Sequence, residues 1–236
     1  MDRPLFDIYL VNGNITIFFG THADGFKNDI LNSSLLGELV SASKHSHNRE
    51  MLWSDYVETV SKIGWITKSR EFKRCEFSGK SLLKIVEQAT ATTLNKEEKQ
   101  TLSNAFLQLK KPPTQSPVIK TVLDKLRTNI FVASDEINAF TSTKPSVATT
   151  ARLTFVRDTA TIITLQVAFK TSDDLNMDIL DQPILNAIMD GKSNTWLLAS
   201  SLDSRRYDNV REAVIKKVGS HLNTDLLHVP TPNRAG

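Results

Sequence analysis

Two β-rich runs meet at a polar turn in residues 151–170, ARLTFVRDTATIITLQVAFK. We predict that the two runs pair as strands that turn at Asp158-Thr159. The second contains the longest apolar run of the chain, Ala160–Phe169, which only threonine and glutamine interrupt. Such a run is typical of a strand whose two faces are both covered, so we expect it in the interior of a sheet.

Residues on either side of this pair predict helices and further strands. Apolar residues recur at three-to-four-residue spacing, which predicts amphipathic helices at about 27–42, 49–63, 81–91, 96–109, 117–127 and 204–222. Further β-rich runs predict strands at 6–11, 15–19, 65–77 and 194–201. This order of elements predicts an α+β fold, in which helices cover one antiparallel or mixed sheet as a layered α/β/α sandwich. We interpret the proline-rich segment 110–116 as an internal loop of a single domain spanning residues 1–236.

Composition narrows the class of protein. The 236 residues carry a formal net charge of +3, which does not by itself mark a nucleic-acid binder, so nucleic acid is not an expected partner. A single cysteine excludes an intramolecular disulfide and a zinc site built on several thiolates. The chain contains no Gly-x-Gly-x-x-Gly, no Gly-x-Ser-x-Gly and no complete phosphate loop. No cofactor and no metal is therefore predicted.

The sequence contains no recognisable targeting signal. The first ten residues include Asp2 and Asp7 and lack a long apolar core, unlike a secretory signal peptide. No stretch reaches the roughly 18 uncharged apolar residues that a membrane-spanning helix needs. We expect a soluble chain that is cytoplasmic at synthesis, and export by a route that reads no N-terminal signal stays compatible with this sequence.

The strongest charge asymmetry lies in residues 62–84, which contain seven Lys or Arg and two Glu. Phe72 and Phe77 are interleaved with these charges. A basic and aromatic run of this kind is typical of contact with an anionic surface. The alternative is an ordinary solvated face of a strand. The run predicts a lipid- or anion-binding site formed by Trp65, Lys68, Arg70, Lys73, Arg74 and Lys80.

Two further places in the sequence are candidates for reactivity. Cys75 lies within the basic run, and neighbouring positive charge favours a reactive thiolate. Its alternative role is that of a small apolar side chain on the inner face of a strand. His22 and Asp24 lie in one loop, where a histidine beside a carboxylate can act as a general base or metal ligand, although the same residues also suit a plain turn. No catalytic residue is assigned.

A resemblance to other proteins rests on residues 28–66. These contain Asn32-Ser33-Ser34-Leu35-Leu36-x-x-Leu39, then Trp53-x-x-Tyr56 and Ile63-Gly64-Trp65. The spacing is similar to that of a group of largely uncharacterised microbial proteins. The order of paired helices, long strands and a closing helix also resembles, in topology, the cytolytic toxin fold and the Evf virulence factor. That resemblance implies helix hairpins wrapped around a sheet, and it assigns no role to Cys75.

These features together predict a non-enzymatic, soluble interaction or toxin-like protein whose partner is an anionic lipid membrane. One alternative is a small-molecule or acyl-processing enzyme that uses Cys75, or His22 with Asp24. The other alternative is a self-associating structural protein, whose partner is a second copy of the chain.

Overall fold

A computed structural model describes residues 6–44, 49–76, 79–130, 147–171, 175–188 and 191–231 of the protein. The strands are β1 (Phe6–Val11), β2 (Asn14–Phe19), β3 (Trp65–Glu76), β4 (Val147–Val156), β5 (Thr161–Thr171), β6 (Lys192–Leu202) and β7 (Leu226–Val229). The helices are α1 (Asp24–Lys44), α2 (Arg49–Lys62), α3 (Leu82–Ala89), α4 (Lys96–Leu109), α5 (Pro117–Thr128), α6 (Ser204–Asp208), α7 (Arg211–Val218) and α8 (His221–Thr224), with a short 3-10 helix at Met177–Leu180.

The strands in the described residues form one mixed sheet with the order β3-β6-β5-β4-β2-β1-β7. The neighbours β2 and β4 run parallel, and the other neighbouring pairs run antiparallel. β5 lies between β4 and β6, where Leu165 is opposite Leu153 on one side and Leu197 on the other. Every residue from 162 to 169 is buried. The prediction of an inner strand is therefore confirmed.

Helices cover both faces of this sheet. On one face, α3, α4 and α5 enclose an apolar core that includes Phe106, Phe155 and Leu165. On the other face, α1, α2 and α7 pack on a second core that includes Leu35, Tyr56 and Val214. Because side chains of a strand alternate between faces, the inner strands supply both cores. This arrangement confirms the predicted α+β fold class with a helix-covered mixed sheet.

The predicted helix at 204–222 is wrong in one respect, because α6, α7 and α8 divide it. Gly219 ends α7 with φ +49, a left-handed conformation that cannot continue a right-handed helix. Between α6 and α7, the Val210 amide donates to the Tyr207 carbonyl, which forms a tighter turn. The predicted apolar face persists across the breaks, since Tyr207, Val214 and Val218 are all buried.

Strand β7 was not predicted from the sequence. This strand has four residues and pairs antiparallel with β1, where Tyr9 is opposite His228. A four-residue segment is too short to show a strand alternation. Its partner lies at the opposite end of the chain, so the pairing becomes visible only in the folded protein.

Gly37 lies where α1 crosses α2. Because its side chain is a single hydrogen atom, the two helices can approach each other closely. A Cβ at this position would lie 2.8 Å from Tyr56 Cδ2 and 3.0 Å from Val60 Cγ1. Both side chains are buried, with Tyr56 fully inaccessible to solvent. We expect Gly37→Ala to cost about 1–3 kcal/mol in the free energy of unfolding, because overpacking outweighs the gain in helix propensity.

Gly25 supplies a matched control for this substitution. It lies in the first turn of the same helix, and an added Cβ would meet no atom within 4 Å. Urea unfolding should show Gly25→Ala to be neutral or stabilising by up to about 1 kcal/mol. Equal unfolding free energies for the two variants would contradict the close approach of α1 and α2.

Candidate functional site

β3 is an edge strand with exposed side chains along most of its length. Phe72 is opposite Trp196 in β6, and the two rings are 5.6 Å apart. Trp196 in turn packs with Trp53 of α2. Since alternate residues of a strand share a face, Arg70, Phe72 and Arg74 lie on the side of the sheet that α2 covers. We call these three residues the basic–aromatic face.

The opposite face of β3 carries different charges. Lys73 forms an ion pair with Glu71 on this face. Lys68 Nζ donates to Thr161 Oγ1 at 3.4 Å. Cys75 packs against the apolar core beneath α3–α5 and lies 3.5 Å, Sγ to Oγ1, from Thr195. The basic residues that are adjacent in the sequence are thus divided between the two sides of the strand.

Two residues of the predicted binding site lie outside either face. Trp65, which we predicted as an interfacial residue, is 2% exposed, and its Nε1 donates to Ser33 Oγ at 2.9 Å. This assignment of Trp65 is corrected, because a buried indole beneath α1 cannot contact a membrane. Lys80 precedes α3 and donates to Gln88 Oε1 at 2.7 Å. Phe77 lies outside the described residues.

An open cleft of about 570 Å³ lies between α2, β3 and α6. Its three cations and one carboxylate leave a net formal charge of +2. The carboxylate, Glu58, accepts a hydrogen bond from Lys62 Nζ at 2.5 Å. This hydrogen bond lowers the pKa of Glu58, so the carboxylate is ionised at neutral pH and holds the lysine at the cleft. The lining residues are Ser54, Glu58, Ser61, Lys62, Arg70 and Arg206.

Several donors in this cleft lack an internal partner. Within the described part of the chain, neither Arg70 nor Arg206 forms an ion pair with a carboxylate. The Ser61 hydroxyl is buried and has no hydrogen-bond partner there. Guanidinium groups without a carboxylate partner and a free hydroxyl favour an anion with several oxygen acceptors. The cations of the cleft are therefore of the kind that suits an anion.

Of the six residues that line this cleft, only Arg70 was predicted from the sequence as a binding residue, and the two cations that were not predicted are Lys62 and Arg206. Lys62 lies at the start of the basic run, whereas Arg206 lies far along the chain in α6. A backbone hydrogen bond of 2.9 Å from the Asp203 amide to the Gly64 carbonyl docks α6 at the turn between α2 and β3. The Arg205-Arg206 pair was the available signal, but the sequence does not show which element it faces.

The reactive candidate Cys75 has surroundings separate from those of His22 and Asp24. His22 Nε2 lies 2.9 Å from the Phe19 carbonyl oxygen and donates a hydrogen bond to it. The ring packs against Phe26, with centroids 5.5 Å apart. Asp24 is exposed and lies 3.7 Å from Lys27 Nζ. His22 and Asp24 therefore lie together at the start of α1, and their contacts among the described residues do not include Cys75.

A buried charged cluster holds α1 against the sheet. Glu38 is 2% exposed, and its Oε1 accepts a hydrogen bond from Arg152 at 2.8 Å. Arg152 also donates to Gln166 Oε1 at 2.8 Å, and its guanidinium lies 4.4 Å from the centroid of the Tyr56 ring. Burial and the nearby Glu38 charge raise the pKa of Tyr56 to about 12. The adjoining cavity of about 10 Å³ has room for no more than a water molecule, so the cluster is structural.

The comparisons with known proteins include a distant likeness in fold to a solved structure. No protein-family profile and no curated protein sequence matches the chain. The chain is similar to a solved structure described as that of the Evf virulence factor, with a TM-score of 0.34 and 11% sequence identity over 91% of this chain and 82% of that one. This is a distant likeness in fold, and it says nothing about what the chain binds. The resemblance of residues 28–66 to microbial proteins gains no support from sequence.

The described residues lack two kinds of feature, a membrane-spanning helix and a cluster of metal ligands. None of the helices there is both long enough and apolar enough to cross a membrane. In the same part of the chain, no three His, Cys, Asp or Glu side chains are grouped so that they could hold a metal ion.

Proposed function

We propose that this protein is a non-enzymatic interaction protein that binds anionic lipid membranes through its basic–aromatic face. The observation that carries the proposal is Phe72, which is 56% exposed and lies between Arg70 and Arg74 on one side of an edge strand. An aromatic ring between two cations suits a bilayer interface, where the ring enters the headgroup layer and the cations contact anionic groups. The tilted ring contact with Trp196 holds the Phe72 ring in this orientation.

Electrostatic attraction should dominate the binding. Each basic residue near an anionic bilayer contributes on the order of 1 kcal/mol, so the two arginines together contribute about 2 kcal/mol. Because these charges are exposed, the attraction should weaken as salt shortens the Debye length below roughly 8 Å. Binding to anionic vesicles should therefore exceed binding to neutral vesicles and should fall as salt rises.

Vesicle co-sedimentation tests the proposal. Wild type should bind vesicles of phosphatidylserine and phosphatidylcholine, and bind pure phosphatidylcholine weakly. Replacing both arginines, Arg70→Gln with Arg74→Gln, should weaken binding to the anionic vesicles roughly 30-fold, which corresponds to about 2 kcal/mol. The matched control is Lys68→Gln with Lys73→Gln, which removes the same charge from the opposite face of the same strand. We expect the control to retain most of the binding.

Three outcomes would overturn the proposal. Equal binding of wild type to both kinds of vesicle would show that electrostatic attraction does not drive the binding. No binding to either kind would show that the membrane is not the partner. Equal losses in the arginine and lysine pairs would show that net charge, rather than the basic–aromatic face, drives the association. Circular dichroism of the variants should match that of wild type, since all four substituted side chains are exposed.

A further inference from the structure

The basic cleft beside the basic–aromatic face brings together donors from three elements. Arg70 comes from β3, Arg206 from α6, and Lys62 and Ser61 from α2. The two arginines form no ion pair with the described residues, and the Ser61 hydroxyl has no hydrogen-bond partner among them. A diffuse membrane-binding surface needs none of this convergence. The arrangement instead matches a single multidentate anion.

The charge and geometry of the donors discriminate among anions. A carboxylate or a phosphodiester carries one negative charge, whereas a phosphomonoester carries about 1.5 to 2 at neutral pH and three terminal oxygens. Guanidinium groups pair with such oxygens in a bidentate manner. The net formal charge of +2 on the cleft lining is equal in magnitude and opposite in sign to the charge of a fully ionised phosphomonoester.

We propose that the cleft binds a terminal phosphate group, that is, a phosphomonoester carried by a lipid headgroup or by a small soluble molecule. As a lipid site, this inference rests on the proposed function and assigns the headgroup that the protein prefers. Arg70 and Arg206 hold the phosphate oxygens from two sides. Lys62 supplies the third positive charge.

Substitution of Glu58 tests the proposal through an expected gain in affinity for the phosphate. Its carboxylate accepts a hydrogen bond from Lys62 and sets one negative charge in the cleft. Glu58→Gln removes that charge and releases Lys62 for the phosphate. We expect this variant to bind a phosphomonoester about 5–10-fold more tightly than wild type, the fold-change that about 1 kcal/mol produces. A general loss of folding cannot produce a gain in affinity.

The experiment compares two vesicle compositions of equal surface charge. One contains phosphatidylinositol 4-phosphate, which has a terminal phosphate, and the other contains phosphatidylserine, which has only a phosphodiester. Wild type should bind the first at least 10-fold more tightly. Arg206→Gln should abolish this preference and leave binding to phosphatidylserine within about twofold of wild type. Arg205→Gln is the matched control, because Arg205 is the exposed neighbour in α6 and does not line the cleft.

A soluble arm separates the two sources of phosphate. Isothermal titration with glycerol 3-phosphate should give binding that Arg206→Gln removes. If wild type binds both vesicles equally and does not bind glycerol 3-phosphate, the phosphate site is overturned while the membrane proposal stands. If it binds glycerol 3-phosphate but neither vesicle, the site belongs to a soluble ligand and the membrane proposal falls. A preference that survives Arg206→Gln would overturn the assignment of the cleft.

Discussion

Arg152→Leu is expected to lower the free energy of unfolding by about 3–5 kcal/mol, because it leaves the buried Glu38 carboxylate without its main partner. The two side chains are 8% and 2% exposed and pair at 2.8 Å. Lys125 lies 3.5 Å from the other carboxylate oxygen and is too distant to replace the lost hydrogen bond. Urea denaturation followed by circular dichroism measures the loss.

An exposed ion pair provides the comparison for this variant. Lys192 and Glu76 are 3.7 Å apart, with side chains 45% and 79% exposed. Lys192→Met should cost less than about 1 kcal/mol, since solvent screens such pairs. Adding Glu38→Gln to Arg152→Leu should restore part of the lost stability by removing the unpaired charge. A cost for Arg152→Leu no larger than that for Lys192→Met would contradict the role of the buried cluster.

Phe155→Ala should cost about 3–5 kcal/mol, because it opens a cavity in the core beneath α3–α5. Phe155 is inaccessible to solvent, and its ring stacks on that of Phe19 with centroids 6.0 Å apart. Its strand, β4, lies between β5 and β2, so the surrounding backbone has little freedom to close the cavity. Equilibrium unfolding in urea measures the difference in the free energy of unfolding, with one shared slope of that free energy against urea concentration for both proteins.

The same substitution at Phe72 is the matched control. Phe72 is 56% exposed at the sheet edge and makes its ring contact with Trp196 alone among the described aromatic residues. We expect Phe72→Ala to cost less than about 1 kcal/mol. A comparable loss at both positions would contradict the difference in packing between the inner strand and the edge strand.

The features that the sequence predicted correctly are local or periodic. The run 160–169 is apolar on both alternating faces, and it forms the inner strand β5. The capping box at the start of α4 is a local feature of the same kind, since Asn95 and Glu98 each accept a hydrogen bond from the other's backbone amide. Residues 110–116 connect α4 to α5. Interactions over three or four residues need no knowledge of the rest of the fold.

The candidate site was predicted less completely, because residues that are adjacent in the sequence of β3 were expected to lie on the same surface. Lys73 follows Phe72 directly, yet it lies on the opposite face and pairs with Glu71. Trp65 belongs to the same strand and is buried beneath α1. Strand position could have separated the alternating residues, but the bulge between Thr67 and Ser69 shifts the alternation, and the sequence does not reveal it.

Residue types and their spacing are thus sufficient for the α+β class, the inner strand, the helix starts and the presence of a basic edge, since each depends on neighbours within one or two turns or along one strand. Contacts between distant segments settle the rest. Glu38 pairs with Arg152, which is 114 positions away in the sequence. Arg206 lines the same cleft as Arg70 because α6 docks at Gly64. Which charges are buried, which share a face and which converge on a cleft depends on how strands and helices pack, and no local pattern encodes that packing.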